Sequence, residues 1–393
     1  MIRIRFVLLL VLMAMAASCS RSSINERELF ANADTITVDF DNPTIYEWSS
    51  FVDSISFLKL QTTDKSIIGQ IDDILFMDST IVIVDKRIAQ AVFLFDYNGR
   101  YKTKLSHMGN GPKEYLNLTY VFKISDSVVA IQDRKKRKVM CFNANDGSFL
   151  NEFDLPQFGG DIEYVGDNTF VHSVWGVGRI DRSTKGEYAY VVSDNNYKVK
   201  YGVGIDTYSK NNNYGQGKYL YRYNDTIYGI PNFEKIVYQF TPDGVKVKYL
   251  LDIVSDDVMD FKYNSVEEIF KLEKQYPFFM GEFIEMDNYS IFRIAQKRYD
   301  KCAFAIYDHK TKITYMLGGP HNHPFMTFLY KPYLTDSGNS FATSATPVEL
   351  LICKDYFYKN SGPMKDLDLL YNDMKVDDNP VLFFYHLKDK IAE

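Results

Sequence analysis

Histidine, a common ligand of zinc and copper, occurs in one close pair in this sequence, His321 and His323. The pair lies between Gly318-Gly319-Pro320 and Pro324. In an extended segment, residues two positions apart point to the same side, so the two imidazoles could form half of a metal site. No sequence feature identifies a further ligand. A solvated Pro/Gly turn is the alternative interpretation, and the identity of any cofactor is unknown.

The motifs of the common hydrolases are missing from the chain. It has no Gly-x-Ser-x-Gly elbow, no His-Glu-x-x-His zinc motif and no P-loop. Three adjacent carboxylate pairs lie in polar, turn-like sequence and are expected to be solvated: Asp72-Asp73, Asp256-Asp257 and Asp377-Asp378. Enzymes can also assemble a site from residues far apart in the chain. A hydrolase or lyase, metal-dependent or not, therefore stays open as an alternative function.

Two basic clusters follow aspartates at similar places in related segments. Lys86 and Arg87 come after Asp85, and the run from Arg134 through Arg137 to Lys138 comes after Asp133. If the two clusters occupy equivalent loops, they form a positive patch that would suit anionic glycans or peptide carboxylates. Solvated hairpin charge is the alternative.

Trp175 is one of only two tryptophans and lies in the sequence Trp175-Gly176-Val177-Gly178. An indole next to glycines could stack on a sugar ring, or it could simply pack between structural units. Together with Lys86, Arg87, Arg134 and Arg137, it completes the set of candidate ligand-binding residues.

The N-terminus has the features of a lipoprotein export signal. Arg3 and Arg5 precede the apolar stretch Phe6 to Ala17, and small residues lead directly to Cys19. This order fits a signal peptide over residues 1–18 and a cysteine whose thiol accepts a diacylglycerol. A chance cysteine after an ordinary signal peptide is the alternative. The apolar stretch is shorter than the roughly 20 residues that span a bilayer.

Charge and lipid together limit the partners. Cleavage after residue 18 would leave 375 of the 393 residues and change the formal charge from −6 to −8, because Arg3 and Arg5 are removed. Such an acidic protein is not expected to bind nucleic acid. Lipid on Cys19 would hold it at the membrane, and we expect an outer-membrane lipoprotein on the periplasmic or cell-surface face.

Three cysteines remain after Cys19, and their wide spacing indicates no disulfide framework. Cys141 and Cys353 lie in apolar runs, whereas Cys302 begins a strand-like segment. Buried free thiols are expected at Cys141 and Cys353.

A repeated segment accounts for most of the chain. Thr80–Asp85 and Val92–Gly99 read as a strand, a turn, a strand and a hairpin turn with glycine, and the same pattern returns from Ser127 to Gly147. Weaker copies follow, and the four hairpin turns recur every 47 to 50 residues, at Gly99, Gly147, Asp194 and Gly244. A unit of about 40 to 50 residues with four short strands has the size of one propeller blade.

Two further copies can be fitted with helical insertions. A fifth copy uses Cys302–Asp308 after a predicted helix at Asn264–Leu272. The sixth would take its strands from Ser340–Thr343, Val348–Cys353 and Val381–Leu387, with a second short helix around Met364–Met374. We therefore predict an all-β fold, a six-bladed β-propeller with short helical insertions over residues 35–393.

Two strand-like runs, Thr35–Phe40 and Ser54–Leu60, precede the first complete copy. An open blade edge invites aggregation, so the ring needs a closing strand. Ser54–Leu60 is predicted to pair with Val381–Leu387 and close the last blade. Residues 19–34 would then be a lipidated, polar tether.

The segment Gly109-Asn110-Gly111-Pro112-Lys113-Glu114-Tyr115 closely resembles a signature of one family, Gly-x-Gly-Pro-x-Glu-Tyr. The family consists of six-bladed, NHL-like β-propeller lipoproteins of uncharacterised function from gut-type Gram-negative bacteria. Ser66–Ile71 and the N-terminus resemble the same group. The resemblance implies the propeller fold, and no catalytic residue can be transferred from it.

The signature itself suits a sharp connection between two blades. Glycine permits left-handed backbone and proline fixes φ, and Glu114 could accept backbone N–H groups there. Phosphate binding through Gly-x-Gly is the alternative, but no helix follows and Pro112 removes a donor. We expect a binding or scaffold module for a glycan, a peptide or a partner protein, with a propeller hydrolase or lyase as the alternative.

Overall fold

The structure, a computed structural model, describes residues 26–46, 48–105, 108–154, 160–174, 188–196, 198–205, 218, 220–231, 235–254, 276–296, 301–317, 333–335, 338–359 and 364–390. Strands in these ranges form six separate sheets of four or five strands, which are the blades of a six-bladed β-propeller. The predicted fold class and blade number are confirmed.

Three strands precede the first complete blade: β1 (Asp34–Asp39), β2 (Ile45–Tyr46) and β3 (Val52–Lys59). Blade 1 contains β4 (Asp73–Phe76), β5 (Ile81–Asp85), β6 (Ala91–Phe95) and β7 (Tyr101–Leu105). Blade 2 contains β8 (Tyr120–Ser125), β9 (Val128–Asp133), β10 (Lys138–Asn143) and β11 (Phe149–Asp154). Blade 3 contains β12 (Ile162–Gly166), β13 (Thr169–Ser173), β14 (Tyr188–Asp194) and β15 (Val199–Ile205).

Blade 4 contains β16 (Leu220–Tyr223), β17 (Thr226–Gly229), β18 (Ile236–Thr241) and β19 (Gly244–Val254). Blade 5 contains β20 (Phe278–Glu285), β21 (Tyr289–Gln296), β22 (Lys301–Asp308) and β23 (Thr314–Leu317). Blade 6 contains β24 (Tyr333–Leu334), β25 (Ser340–Ala345) and β26 (Val381–Leu387). The first strand of each blade lies next to the central channel. Most of these strands contact the first strand of the next blade, whereas β12 of blade 3 contacts β17 and β18 of blade 4.

The two ends of the channel differ in the loops they carry. The upper face is the end of the channel at which the first strand of each blade begins. It also carries the loops between the second and third strands of each blade. The opposite end, the lower face, carries the hairpins between the third and fourth strands. Gly99 and Gly147 lie in two of these hairpins with φ of 75° and 74°, the left-handed conformation that favours glycine. The glycine spacing in the sequence therefore marks one face of the propeller.

The middle strands of the blades are buried on both sides. All five residues of β5 and all five of β6 are buried, and they are mainly β-branched or aromatic. Such residues pack well on a pleated sheet that neighbouring blades cover on both faces. The interior is therefore a series of apolar layers between blades, and polar groups inside it need a specific partner.

The N-terminal strands run along the outer edges of three consecutive blades. β1 adds to β19 in parallel, with Asp34 opposite Tyr249, and β2 adds to β23 in parallel. β3 pairs antiparallel with β26, with Phe57 opposite Phe383. The predicted closure is therefore confirmed, and the unassigned run Thr35–Phe40 covers the edge of blade 4.

Within the described ranges, five short helices accompany the strands: α1 (Glu26–Phe30), α2 (Trp48–Phe51), α3 (Pro347–Ile352), α4 (Lys354–Lys359) and α5 (Leu367–Tyr371). Helix α5 confirms the short helix predicted around Met364–Met374, whereas the one predicted at Asn264–Leu272 lies outside the described residues. No helix in the described ranges is long and apolar enough to cross a membrane.

The predicted strand at Val348–Cys353 is wrong, because this segment forms α3. Thr346 caps the helix: its hydroxyl accepts from the N–H of Glu349, and the Glu349 carboxylate accepts from the N–H of Thr346. Pro347 at the first position has the φ that a helix needs. The cap outweighs the apolar, strand-like composition of the segment.

Candidate functional site at the upper mouth of the channel

In blades 1, 2 and 3, a buried side chain at the end of the second strand holds the segment that leads into the first strand. Asp85 accepts hydrogen bonds from the N–H groups of Gly69 and Gln70, and Asp133 accepts one from Leu116. Ser173 takes the equivalent place in blade 3 and accepts from Asp161. These contacts hold the segment before each innermost strand in place. They therefore position the residues that surround the channel mouth.

The Gly-x-Gly-Pro-x-Glu-Tyr loop is a structural connection between blades 1 and 2. Glu114 accepts a hydrogen bond of 2.7 Å from the N–H of Gly111, as expected. A Cβ at Gly109 would lie 2.1 Å from the Glu114 carboxylate, so a larger residue there would displace this carboxylate from its place in the loop. The expectation of left-handed glycines is wrong, since Lys113, with φ of 65°, has that conformation.

Tyr115, the last residue of the signature, ties the loop to blade 1. Its fully buried hydroxyl lies 2.6 Å from the carbonyl oxygen of Leu105 and 2.9 Å from that of Gln90. Burial raises the pKa of this hydroxyl, so it stays protonated and donates. Its single O–H can donate to either of these carbonyls, and both contacts hold the loop against blade 1.

Tyr115→Phe should lower the free energy of unfolding by about 1–2 kcal/mol, because it removes a buried donor and keeps the ring. Tyr97→Phe is the matched control: its hydroxyl also donates to a carbonyl, that of Met77, but the residue is exposed on the lower face. Its loss should be smaller. Urea unfolding of both variants measures the difference, and equal losses would argue against this role for Tyr115.

The two predicted basic loops do occupy equivalent positions on the upper face, between β5 and β6 and between β9 and β10. Their charges, however, have partners in the protein. Arg87 lies 3.4 Å from Asp72, Lys86 lies over the ring of Tyr120, and Arg134 donates to the carbonyl of Gly160. Lys136 donates to two carbonyls of the Gly-x-Gly-Pro loop, those of Gly111 and Glu114. Arg137 is exposed with φ of 56°.

An ion pair crosses the channel at the upper face. Lys218, just before β16 of blade 4, places its ammonium 3.1 Å from the carboxylate of Asp73, the first residue of β4 in blade 1. Blades 1 and 4 lie opposite each other in a ring of six. Asp73 is buried, which corrects the expectation that the Asp72-Asp73 pair is a solvated loop end.

A second buried group adjoins this pair. Glu163 of β12 accepts from the Tyr120 hydroxyl at 3.1 Å and from the guanidinium of Arg222 at 3.0 Å and 3.2 Å. Arg222 also donates to the carbonyls of Lys123 and Tyr164. Carboxylates and cations from blades 1, 3 and 4, together with the Tyr120 hydroxyl of blade 2, therefore meet at the top of the channel.

The electrostatics of this site follow from burial and from the crowding of carboxylates. Burial would lower the pKa of Lys218, but Asp73, Glu163 and Asp161 outweigh burial and raise it. Burial raises the pKa of Glu163, and Arg222 counteracts part of this increase. Burial and Glu163 together raise the pKa of Tyr120 well above its ordinary value. Lys218 is therefore held as an ammonium among three carboxylates.

Gln132 adds a polar atom without a partner beside this site. It lies directly opposite Tyr120 in blade 2, so both side chains extend from the same side of the sheet. Its amide nitrogen lies 3.5 Å from the carbonyl of Gly160, but its buried oxygen has no hydrogen-bond partner. A buried acceptor without a donor is costly, so a water or a ligand group that donates to Gln132 would be stabilising here.

Several predicted residues cannot be placed in this site. Cys19, Trp175, His321 and His323 lie outside the described residues, and no metal ligand is identified for the histidines. Among the residues that the structure does describe, no group of three or more His, Cys, Asp or Glu side chains is arranged to hold a metal ion.

Cys141 and Cys353 differ in their surroundings. Cys141 is a buried free thiol, as expected, and burial raises its pKa to about 11. Cys353 is also free but only partly buried, because it ends helix α3 where a buried strand was predicted. The raised pKa makes Cys141 a poor nucleophile.

A second polar cluster lies at the lower end of blade 5. The Ser290 hydroxyl lies 2.5 Å from the carboxylate of Glu285 and 2.7 Å from Nε2 of His309, while Nδ1 of His309 lies 3.0 Å from the carbonyl of Asp287. These residue types also occur in serine hydrolases. Here Ser290 is fully buried, and Glu285 contacts the serine rather than Nδ1 of the histidine. The arrangement cannot present a nucleophile to a substrate.

Comparison with known proteins agrees with this architecture. The sequence profile of the family described as Domain of unknown function (DUF4934) matches residues 33–386. The chain belongs to the DUF4934 family. A search of curated proteins finds no match for this DUF4934 protein.

Solved structures similar to this DUF4934 protein share its fold. One is a Bacteroides fragilis protein provisionally described as exported, at 18% identity and a TM-score of 0.71, covering 90% of this chain and all of that one. Another is a DUF4221 family member from Bacteroides vulgatus, at 9% identity and a TM-score of 0.55, covering 86% of this chain and 99% of that one. At these identities the likeness concerns the fold alone.

Proposed function

We propose that this protein is an exported, lipid-anchored binding module of the cell envelope that holds a peptide at the upper mouth of its channel. Export and anchoring are supported by the order of charged, apolar and small residues before Cys19. The resemblance to exported propeller lipoproteins is consistent with them.

The Lys218–Asp73 ion pair across the channel mouth is the observation that carries the binding proposal. Burying charges is expensive, and replacing a buried ion pair by apolar residues is often neutral or stabilising. Apolar layers already hold the blades together, so the fold does not require charges at this place. The convergence of charges from three blades is better explained by a ligand that they contact.

The mixture of charges favours a peptide over an acidic glycan. Asp73, Asp161 and Glu163 surround one ammonium, that of Lys218, so the pocket suits amines. Lys86 and Arg134 lie on the same face and would suit carboxylates in exchange for their present contacts with Tyr120 and the Gly160 carbonyl. A peptide carries groups of both signs, whereas an acidic glycan carries only one. Tyr120 adds an aromatic ring at the same place.

Binding should depend on the pair at the mouth and not on a similar pair elsewhere. A chain starting at Ser20 is screened against peptide and glycan libraries and its binders are measured by calorimetry. The double variant Asp73→Asn, Lys218→Gln removes both charges together and leaves neither one unpaired. We expect it to weaken peptide binding by at least about tenfold, the range seen when a buried interfacial charge pair is lost.

The matched control is Asp34→Asn, Lys312→Gln, which removes a Lys–Asp pair, also at 3.1 Å, from the lower part of the molecule. It should bind peptides as the unchanged protein does. Equal affinity in both double variants would contradict the proposal. Binding only to acidic glycans, with a steep dependence on salt, would show that the ligand is of the other class.

A further inference from the structure

The path of the N-terminal segment determines which side of the propeller the tether leaves. Helix α1 packs beside β19, and its Leu29 is buried in one apolar cluster with Val247 and Phe240, near the lower end of blade 4. From there the chain enters β1, which runs parallel to β19 towards the upper face. The residues before α1 therefore start from the lower part of the molecule.

An ion pair fixes the same segment to the neighbouring blade. Lys312, in the lower hairpin between β22 and β23, lies 3.1 Å from Asp34 at the start of β1. Asp308 accepts from the N–H groups of Lys310 and Thr311 and so orders this hairpin. The chain thus leaves the propeller at the lower rim of blades 4 and 5.

The tether is shorter than the predicted residues 19–34, because Glu26–Phe30 forms helix α1 and its Leu29 is buried against blade 4. Cys19 precedes Glu26 by seven residues. A fully extended chain spans at most about 3.5 Å per residue, so the tether reaches roughly 25 Å. This is less than the thickness of a bilayer core, roughly 30 Å. A lipid on Cys19 would therefore keep the lower rim close to the membrane.

The surface at this rim combines exposed apolar side chains with charges that nearly balance. Phe30 is 39% exposed and Ile313 is 45% exposed. Lys312 is paired with Asp34. The other exposed charged residues near the rim are of both signs and include Arg27, Lys246 and Lys310 against Glu28, Asp225, Asp243 and Asp287. Exposed apolar side chains next to a lipid anchor suit the interfacial region of a bilayer, and balanced charges require no anionic lipid.

We propose that the lower rim of blades 4 and 5, around Phe30 and Ile313, rests on the phospholipid surface, so that the channel mouth faces away from the membrane. This inference depends on the lipid anchoring proposed above. It gives the anchored protein one orientation, in which a peptide reaches the mouth without passing the membrane.

Energy transfer from the protein to the membrane tests the orientation. The lipidated full-length protein is placed in phosphatidylcholine vesicles that contain an acceptor lipid. A dye is attached to an azide-bearing amino acid at Lys310, on the lower rim, or at Arg137, on the upper face. We expect transfer to be several times stronger from position 310, and unchanged when anionic lipid is added. Ile313→Ser, which alters an exposed side chain, should reduce the transfer from 310 without releasing the protein.

Each outcome has a distinct meaning. Equal transfer from both positions, or stronger transfer from 137, overturns the orientation while the anchor stands. Failure of the protein to float with the vesicles overturns the anchor and the orientation together. Neither result bears on peptide binding by the chain that starts at Ser20, which is measured without membranes.

Discussion

A chain that begins at Leu60 should not form a folded monomer, whereas a chain that begins at Thr44 should. The first lacks β3, which pairs with β26 along its whole length and closes blade 6. Val52 and Ile55 of β3 are buried, and burying each such side chain contributes roughly 1.5–3 kcal/mol. Together with the hydrogen bonds of the lost strand pairing, the missing stabilisation reaches about 5–15 kcal/mol, the free energy of unfolding that is typical for a whole domain.

The chain from Thr44 is the control because it keeps β3 and loses only α1 and β1. It exposes the edge of β19 and apolar residues beneath β1, so it should be less stable but still unfold cooperatively. Size-exclusion chromatography and thermal unfolding followed by circular dichroism compare the two chains. The chain from Leu60 should aggregate through its open edge. If it unfolded cooperatively as a monomer, ring closure by β3 would not be the dominant contribution.

The closure was predictable because both partners carry a local signal. Ser54–Leu60 and Val381–Leu387 are rich in residues that favour strands, and each lies outside a complete repeat. Because a closed ring needs the first and last segments to share a blade, these two runs are expected to pair with each other. The role of Thr35–Phe40 was not predictable, because a strand added in parallel to an outer edge has no hairpin turn to identify its partner.

The same strand-forming composition gave the error at Val348–Cys353. Thr346, Pro347 and Glu349 have the spacing of a helix start, which decides the structure of this short segment. Signals from single capping residues are local and specific, whereas an apolar run of six residues fits a strand or a buried helix equally well.

The channel mouth could be predicted only in part. The loops of Lys86 and Arg134 were correctly assigned to one face, because they follow equivalent strands. Asp73 and Lys218, in contrast, are 145 positions apart and meet only when the ring closes. No linear motif contains them, since the contact is set by the six-fold arrangement of blades and not by neighbouring residues.

Glu285→Gln should stabilise the protein at alkaline pH and have little effect at acidic pH. Burial raises the pKa of Glu285 from 4.5 to about 7. The Tyr249 hydroxyl donates to Glu285, and Ser290 donates to the ionised carboxylate. Once Glu285 is protonated, its carboxyl proton can be donated to Ser290 instead. Ser290 can then donate to His309, and His309 to the carbonyl of Asp287. Glutamine can accept from Tyr249 and donate to Ser290 in the same way, but it cannot ionise.

The sign follows from proton binding in the two states. Between pH 4.5 and about 7 the folded protein keeps a proton on Glu285 that the unfolded chain has lost. The folded state binds more protons there, so its stability falls as pH rises through this window. A pKa change from 4.5 to about 7 corresponds to roughly 3 kcal/mol once both states are ionised. The variant should gain up to this amount above pH 8.

His309 requires a control because its pKa also changes, in the opposite direction. Burial lowers the pKa of His309, so its contribution to stability is lost as pH falls through the range in which the unfolded histidine takes up a proton. The difference between the variant and the unchanged protein isolates Glu285 if His309 is present in both. Glu152→Gln, on the partly exposed strand β11, is the matched surface control and should shift stability little at any pH. Urea unfolding from pH 4 to 9 gives the free energy of unfolding of each protein as a function of pH. If Glu285→Gln raised this free energy equally at every pH, the glutamate would be ionised in the folded protein throughout the range.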